Sequence, residues 1–131
     1  MEFNHFLTSY MPDPKIGSKV HFQNMIDQAV LADKLDYKTV SIPEHHLVNL
    51  LMMPSPLQMA VKIATLTKKI NITTSVAVLP LHDMRTYAGE VATADILTEG
   101  RLIFGVGRGA FAWEMDRLGT PIEKSREKFI E

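Results

Sequence analysis

The stretch Lys38-Thr39-Val40-Ser41-Ile42-Pro43-Glu44-His45-His46 joins a short apolar run to an acid and two adjacent histidines. Lys38–Ile42 has the length and β-branched content of a buried strand, and Pro43 is a natural place for it to end. Similar runs recur at intervals of about 30 residues, at Asn4–Thr8, Asn71–Leu79 and Arg101–Val106. This spacing leaves room for one helix after each strand, so the sequence predicts consecutive βα units.

Segments with helical periodicity fill the gaps between these runs. Two apolar helix faces are visible, one formed by Phe22, Met25, Ile26, Ala29 and Ala32 and the other by Leu57, Ala60, Val61 and Ala64. A third helix is expected from near His82-Asp83 to just before Gly100, and a polar helix is expected to begin within Ile122–Glu131. The resulting βαβαβαβ order predicts a parallel sheet with crossover helices.

Two parallel-sheet architectures are compatible with this order. A flavodoxin-like doubly wound sheet could be completed by 131 residues. An eight-stranded βα barrel needs about 250 residues, so this chain would supply only half of one. The segment Ile122–Glu131 begins a helix without a closing signal, which favours a truncated chain. In either case residues 1–131 are expected to belong to one domain.

The composition is that of a globular protein without a bias toward polyanionic partners. Hydrophobic residues make up 46% and charged residues 22%, and the net charge is −1. We therefore expect neither nucleic-acid nor membrane binding. The absence of cysteine excludes disulfides and thiolate metal sites and fits a reducing compartment. The N-terminus lacks the basic and apolar regions of a signal peptide, so a cytoplasmic location is expected.

The two histidines after the second predicted strand are the first candidates for chemistry. The imidazole group has an unperturbed pKa of about 6.5, which suits proton transfer near neutral pH. Neighbouring side chains at a strand end point in different directions, so one ring can face a pocket while the other packs. Glu44 could orient either ring, although two ordinary loop histidines remain the alternative. No metal-ligand spacing connects His5 or His82 with the pair, so no metal site is expected.

A glycine-rich loop, Gly105-Val106-Gly107-Arg108-Gly109-Ala110, follows the fourth predicted strand. Glycine permits close backbone approach, and the Arg108 guanidinium suits phosphate. The loop fits the dinucleotide pattern G-x-G-x-x-A, but that pattern normally follows the first strand and opens a long helix. Gly119 and Pro121 interrupt the segment that follows. We interpret the loop as an anion-binding βα loop, with a tight turn and a solvated arginine as the alternative.

Three motifs together resemble the bacterial luciferase-like flavin-dependent monooxygenases: Pro43–His46, Val78–Asp83 and Gly100–Gly109. The resemblance runs from about Phe3 to Glu131. It implies an α/β fold made of the first four βα units of a TIM (β/α)8 barrel, a half-barrel. It also implies reduced FMN, or in some branches the deazaflavin F420, at the C-terminal rim. Such enzymes use reduced flavin, supplied by a flavin reductase, and O2 to oxidise a small organic substrate such as an aldehyde.

The resemblance assigns the catalytic group to the loop after the second strand. His45 matches the histidine that assists the flavin–oxygen chemistry as an acid or base, and Glu44 and His46 match its neighbours. Leu47 stands where an aromatic residue is common, so the substrate pocket is expected to differ.

The resemblance also places the cofactor against two later loops. Ser75-Val76 falls where the family has a non-prolyl cis peptide against the flavin ring. Arg108 matches an arginine near the flavin phosphate. Gly107 stands where luciferase has a reactive cysteine, so light emission is not implied.

Three activities remain open at this point. The first is an FMN-dependent monooxygenase that is inactive or impaired as this fragment. The second is a non-catalytic flavin-binding or oligomerisation module, and the third is an F420-dependent oxidoreductase that transfers hydride without O2. A half-barrel has two unpaired sheet edges, and the family dimerises largely through helices of this half. A homodimer or a swapped oligomer is therefore expected.

Overall fold

The computed structural model describes residues 1–49 and 51–131, and within them six short strands and five α-helices. The strands are β1 (Asn4–Phe6), β2 (Thr39–Ile42), β3 (Asn71–Thr74), β4 (Ala77–Val78), β5 (Leu102–Ile103) and β6 (Val106–Gly107). The helices are α1 (Ser18–Lys34), α2 (Pro56–Ala64), α3 (Met84–Leu97), α4 (Ala112–Arg117) and α5 (Ser125–Ile130). In the part of the chain that is described, no helix combines the length and apolar character needed to cross a membrane.

All strand pairs are parallel. The main sheet has the order β1-β2-β3-β5, and β4 pairs with β6 beyond the ends of β3 and β5. The predicted parallel α/β sheet is confirmed. The flavodoxin-like alternative is wrong for this sheet, because a doubly wound sheet reverses its strand order whereas these strands follow one another without reversal.

Two of the predicted strands are each divided into two short ones. The run Asn71–Leu79 is interrupted at Ser75-Val76, whose peptide bond is cis, and the run Arg101–Val106 is interrupted at Phe104-Gly105. The two breaks lie side by side, since the Gly105 carbonyl accepts hydrogen bonds from the Thr74 hydroxyl at 2.7 Å and from the Ala77 amide at 2.8 Å. A Cβ at Gly105 would overlap the Thr74 carbonyl, so this close approach needs glycine.

The main core lies between the sheet and helices α1 and α2. Val40, Ile42 and Ile72 are fully buried, and they pack against the predicted apolar faces of both helices. Burial of each such side chain contributes about 1.5–3 kcal/mol. A smaller cluster, which includes Leu57 and Ala94, joins α2 to α3. The predicted helix faces are therefore the ones that form the core.

On the face of the sheet opposite this core, the edge strands carry exposed apolar side chains. One row across the sheet runs from Phe6 through Ser41 and Thr73 to Ile103. Phe6 and Ile103, on the edge strands β1 and β5, are 50% and 46% exposed. Apolar surface at two strand edges is a place where further chain can pair.

Two polar anchors hold the amino-terminal ends of the strands. The Asp33 carboxylate accepts hydrogen bonds from the amides of Lys68, Lys69 and Ile70 at 3.2, 3.1 and 2.8 Å. The Arg101 guanidinium donates to the Ala64 carbonyl at 2.8 Å, at the end of α2. These bonds fix the loops at the sheet end that in βα barrels serves stability.

Candidate active site

The candidate residues lie together at the carboxyl ends of the strands. Glu44–His46 follow β2, Ser75-Val76 separate β3 from β4, and Gly107-Arg108 stand at the end of β6. Because the strands are parallel, these loops share one rim of the sheet, the rim that carries the active site in βα barrels.

A pocket of about 300 Å³ joins six of the seven predicted residues, and we call it the rim pocket. Its lining includes the predicted residues Glu44, His45, Ser75, Val76, Gly107 and Arg108. His46 is not part of this lining. The loop before α4 and α4 itself add Phe111, Glu114 and Met115. The positions predicted for catalysis and for cofactor binding thus converge on one pocket.

The Glu44 carboxylate is the buried centre of a hydrogen-bonded network behind the rim pocket. Its Oε1 atom accepts from Nε2 of His46 and from Nε2 of His82, both at 2.7 Å. Its Oε2 atom accepts from the Val78 amide at 2.7 Å. Three donors on one carboxylate fix the side chain and tie the β2 loop to the segment between β4 and α3.

This network favours the charged form of both Glu44 and His46. Burial raises the pKa of the Glu44 carboxyl, but the three hydrogen bonds outweigh it and lower the pKa to about 2. The bond to Glu44 raises the pKa of His46, against a smaller lowering by burial. The pair therefore acts as a buried carboxylate and an imidazolium at mildly acidic pH.

His82 extends the network to helix α3. Its ring stacks on the ring of Tyr87, with centroids 3.7 Å apart and planes inclined by 7°. The Tyr87 hydroxyl is buried without a hydrogen-bond partner among the described residues. Burial, together with the nearby Glu44 charge, raises the pKa of this hydroxyl. Tyr87 therefore supports His82 as a neutral aromatic surface.

Glu114 links both histidines of the β2 loop to α4. Its Oε1 atom accepts a short hydrogen bond from the His46 amide, and its Oε2 atom lies 3.5 Å from Nδ1 of His45. That separation exceeds an ordinary hydrogen bond, and the buried Nδ1 has no other partner within the part of the chain that is described. Since Nδ1 faces Glu114, Nε2 is the nitrogen of His45 that is available to a ligand.

An aromatic contact also holds the His45 ring. Phe111, directly before α4, meets it edge to face with ring centroids 5.2 Å apart. Together with Glu114 this contact limits the orientations of the imidazole. His45 remains 20% exposed at the side chain, so the ring is both held and accessible.

Close approach of two loops defines a further wall of the rim pocket. A Cβ at Gly107 would come within 2.5 Å of Cγ2 of Val76. Only glycine therefore lets the β6 loop lie against the Ser75–Val76 peptide, whose cis geometry agrees with the position implied by the resemblance. The exposed Arg108 follows at the rim of the pocket.

The donor set fits a flavin better than a metal ion. In the described ranges, no group of three or more His, Cys, Asp and Glu side chains could hold a metal. The rim pocket instead offers an apolar wall at Val76, Phe111 and Met115 with one guanidinium at its edge. Such a surface suits a flat ring that carries a phosphate tail, although 300 Å³ holds only part of FMN.

The fold is a parallel α/β sheet, and its carboxyl rim, where βα-barrel enzymes have their active sites, carries a pocket lined by a histidine and two carboxylates. The profile of the family described as luciferase-like monooxygenase matches residues 1–131. The chain belongs to this family, and its homologues are flavin-dependent monooxygenases.

Three similar proteins illustrate the relationship. The oxygenase component of flavin-dependent trigonelline monooxygenase from Acinetobacter baylyi is 30% identical over 118 residues, which cover 90% of this chain and 33% of that protein. An alkanal monooxygenase alpha chain from the Kryptophanaron alfredi symbiont is 27% identical, covering 97% of this chain and 35% of that protein. The oxygenating constituent of 3,6-diketocamphane monooxygenase from Pseudomonas putida, solved with FMN, superposes with a TM-score of 0.88 at 24% identity, over 99% of this chain and 37% of that one. The chain thus spans about a third of these relatives.

Two site residues were not predicted from the sequence. Glu114 lies in a short helix that the sequence did not predict, and no pattern showed that its carboxylate is buried. His82 was placed within the Val78–Asp83 motif and at the start of the third helix, but its only suggested chemical role, as a metal ligand, was rejected; in the structure its ring bonds to Glu44. The one sequence signal for the role of His82 was its position at the end of the predicted strand, just after Val78-Leu79-Pro80.

Proposed function

We propose that this chain provides the flavin-facing part of an FMN-dependent monooxygenase that oxidises a small organic substrate. The observation that carries the proposal is the rim pocket, where His45 and Arg108 line one cavity. Reduced FMN, when bound, would supply the electrons that O2 needs. The FMN complex of the 3,6-diketocamphane enzyme supports this choice of cofactor. The name of the trigonelline enzyme, an oxygenase component, supports delivery of reduced flavin by a separate reductase.

The proposed fold of the complete enzyme is a TIM barrel, of which this chain forms the first four βα units. The consecutive parallel order β1-β2-β3-β5 supports this, as do the exposed apolar groups on both edge strands. In that arrangement the remaining units would pair with β1 and β5. The fragment alone would then retain the His45 side of the site and be inactive or impaired in turnover.

Each site residue of this chain has a distinct proposed role. Arg108 binds the phosphate, and the Ser75–Val76 peptide and Gly107 form the surface for the ring. His45 accepts or donates a proton at Nε2, because Nδ1 faces Glu114. Glu44 and His46 are positioning residues that fix the loop on which His45 stands.

The role of Arg108 predicts a selective loss of FMN affinity. Arg108→Gln should weaken binding of FMN by about 10- to 100-fold, since a hydrogen bond to a charged group contributes about 1.5–3 kcal/mol. Binding of riboflavin, which has the same ring without the phosphate, should change little. Anaerobic titration of the protein with each reduced flavin, followed by fluorescence or absorbance, measures both affinities.

The matched control is Arg126→Gln, which removes an exposed arginine that does not line the rim pocket. It should leave both affinities unchanged. Equal weakening of FMN and riboflavin by Arg108→Gln would contradict a phosphate contact, and no saturable binding of either flavin to the unaltered chain would contradict the cofactor proposal. The same titration with F420 tests the deazaflavin alternative.

A second candidate function is a flavin-binding or oligomerisation module without turnover. This candidate is favoured because the chain covers only about a third of the length of its relatives and because the edge strands of its sheet carry exposed apolar groups. Addition of the remaining βα units distinguishes the two: restored substrate oxidation supports a monooxygenase part, whereas flavin binding without oxidation in the completed enzyme supports a module.

We also propose that the chain forms a homodimer through α2 and α3. A groove of about 690 Å³ lies between these helices, and its lining includes Leu57, Val61, Gly89 and Leu97. Leu97 is 54% exposed, and small residues such as Gly89 leave room for a helix of a second copy. Burial of this surface in a partner would remove apolar area from water.

Leu97→Glu should therefore dissociate the dimer. A carboxylate in the buried interface would weaken self-association by at least about tenfold, because an unpaired charge is costly to desolvate. Leu31→Glu is a matched control, since Leu31 is also 54% exposed but lies on α1. Sedimentation velocity over a concentration series measures both. A monomeric parent chain, or a Leu97→Glu protein that dimerises as well as the parent, would contradict this interface.

A further inference from the structure

Met115 is a rim-pocket side chain that can be oxidised and that has no role in the proposed mechanism. It lies on α4, directly after Glu114, and forms part of the apolar wall of the pocket with Val76 and Phe111. It is the only methionine among the described residues that line this pocket. A methionine thioether reacts with peroxides to give the sulfoxide, a reaction that Val76 and Phe111 do not undergo.

The sulfur atom of Met115 is held against the glycine-rich loop. A Cβ atom at Gly109 would lie 2.6 Å from Sδ of Met115 and 2.9 Å from Cγ1 of Val78, so the sulfur and the loop are already in close contact. Gly109 directly follows Arg108, the proposed phosphate contact. The thioether therefore lies beside the loop that is proposed to bind the flavin.

Bulk water has little access to this sulfur. Met115 is 1% exposed, the same fraction as Met25 in the main core, whereas Met84 at the start of α3 is 41% exposed. An oxidant dissolved in bulk water should therefore attack Met84 well before Met115 or Met25. An oxidant that arises within the rim pocket would meet Met115 first, because Met25 and Met84 do not line that pocket.

The proposed function supplies such an oxidant inside the rim pocket. When no substrate is oxidised, the reaction of O2 with bound reduced flavin yields hydrogen peroxide and oxidised flavin. At the thioether, a sulfur–oxygen bond then forms as the O–O bond of the peroxide breaks, and water is released. The sulfur loses two electrons, the peroxide gains them, and the methionine becomes its sulfoxide.

We propose that Met115 is the site at which the enzyme oxidises itself when reduced flavin meets O2 without substrate. The sulfoxide places a polar oxygen in the apolar wall of the rim pocket. It should weaken flavin binding by at least about fivefold, because that oxygen loses its hydration when the flavin covers it. The modification would thus limit cycles that consume reduced flavin without forming product. This inference rests on the proposed function, because the oxidant arises in the pocket only where flavin is bound.

Mass spectrometry of the methionine-containing peptides tests the assignment. The chain is incubated with FMN, NADH, a flavin reductase and O2 but no substrate, and catalase removes peroxide that escapes into bulk water. Sulfoxide should accumulate at Met115 at least about tenfold faster than at Met25 and Met84, because the oxidant is formed next to it. In a parallel sample with added hydrogen peroxide and no flavin, Met84 should be oxidised first.

The Met115→Leu variant tests the consequence for the flavin. Leucine fills a similar volume without a sulfur atom, so the variant should fold. Its affinity for FMN should be the same before and after the incubation, whereas the parent chain should lose affinity. Met84→Leu is the matched control, because it removes an exposed methionine outside the rim pocket. It should lose affinity as the parent does.

Sulfoxide that forms at Met115 no faster than at Met25, or the same order of oxidation with and without flavin, would overturn the inference. Unchanged FMN affinity in a parent chain that carries the Met115 sulfoxide would also contradict it. A flavin titration before the incubation separates the two proposals. Saturable flavin binding without selective oxidation of Met115 would remove this inference alone, whereas no binding would remove the proposed function and this inference with it.

Discussion

Glu44→Gln is expected to lower the free energy of unfolding by about 3–5 kcal/mol, because it removes one partner from a buried ionic network. The glutamine side chain keeps the shape of the glutamate, but its NH2 group replaces one of the two accepting oxygens. That NH2 group then faces hydrogen-bond donors, either the two histidines at the position of Oε1 or the Val78 amide at the position of Oε2. Small domains have only about 5–15 kcal/mol of stability. Urea unfolding followed by circular dichroism at about pH 5.5, where both Glu44 and His46 are charged, measures the loss.

The control for this prediction is Glu123→Gln, which alters an exposed carboxylate near the C-terminal end. It should change the free energy of unfolding by no more than about 0.5 kcal/mol. Identical urea midpoints for Glu44→Gln and the parent chain would contradict the assignment of Glu44 as the charged centre of the network.

The network also sets the pH dependence of stability. The folded pKa of Glu44 is lowered to about 2, so its contribution is present above the ordinary value near 4.5 and is lost as pH falls from there toward 2. The pKa of His46 is raised, so its contribution is complete below about 6.5 and is lost as pH rises through the folded value. Stability of the parent should therefore be greatest between about pH 4.5 and 6.5, and Glu44→Gln should flatten the decline on the acidic side.

Much of the fold could be predicted from local patterns. Runs such as Lys38–Ile42 are short and rich in β-branched residues, and the core strand β2 lies within that run. The helix predicted from near His82-Asp83 begins at Met84, where the Asp83 carboxylate accepts from the Arg85 amide. These elements were predictable because their signals, apolar periodicity and capping, are properties of neighbouring residues.

The divided strands and the short helix α4 were not predictable in the same way. The breaks at Ser75-Val76 and Gly105 depend on two loops that meet in space, where the Gly105 carbonyl accepts hydrogen bonds from both sides of the first break. Helix α4 spans only Ala112–Arg117, which is too short for a clear periodic pattern. Family resemblance located the Ser75-Val76 peptide, but no residue pattern could have done so.

In the site, too, the residues that are adjacent in sequence were predictable, whereas their partners from distant parts of the chain were not. The β2 loop was identifiable because an acid and two histidines follow a strand directly. The partners of that loop are distant in sequence: His82 lies 38 residues after Glu44, and Glu114 lies 68 residues after His46. Tertiary packing alone decides which of two adjacent histidines enters the pocket. The residue pattern alone predicted that one of the two could face a pocket, and the family resemblance assigned that role to His45. The structure shows His45 in the pocket lining and His46 hydrogen-bonded to Glu44.

This division between the two histidines leads to the prediction with the largest effect on activity. His45→Asn should reduce substrate oxidation by about 10²- to 10⁴-fold in any active form of the enzyme, because the variant removes the group that we propose transfers a proton at Nε2. His46→Asn should act mainly through stability, since its ring bonds to Glu44 and is absent from the pocket lining. Glu114→Gln should reduce turnover by a smaller factor, because Nδ1 of His45 loses a neighbouring carboxylate that limits the orientation of the ring.

The decisive measurement admits O2 to the anaerobic complex of the enzyme with reduced FMN and records flavin absorbance together with oxidised substrate. His5→Asn is the control, because His5 bonds to Gln28 on α1 and does not line the rim pocket. For His45→Asn we expect retained flavin binding with little substrate oxidised per flavin, which separates loss of proton transfer from loss of the site. Parent-like yield and rate in this variant would remove the catalytic role of His45 and leave the rim pocket as a binding site only.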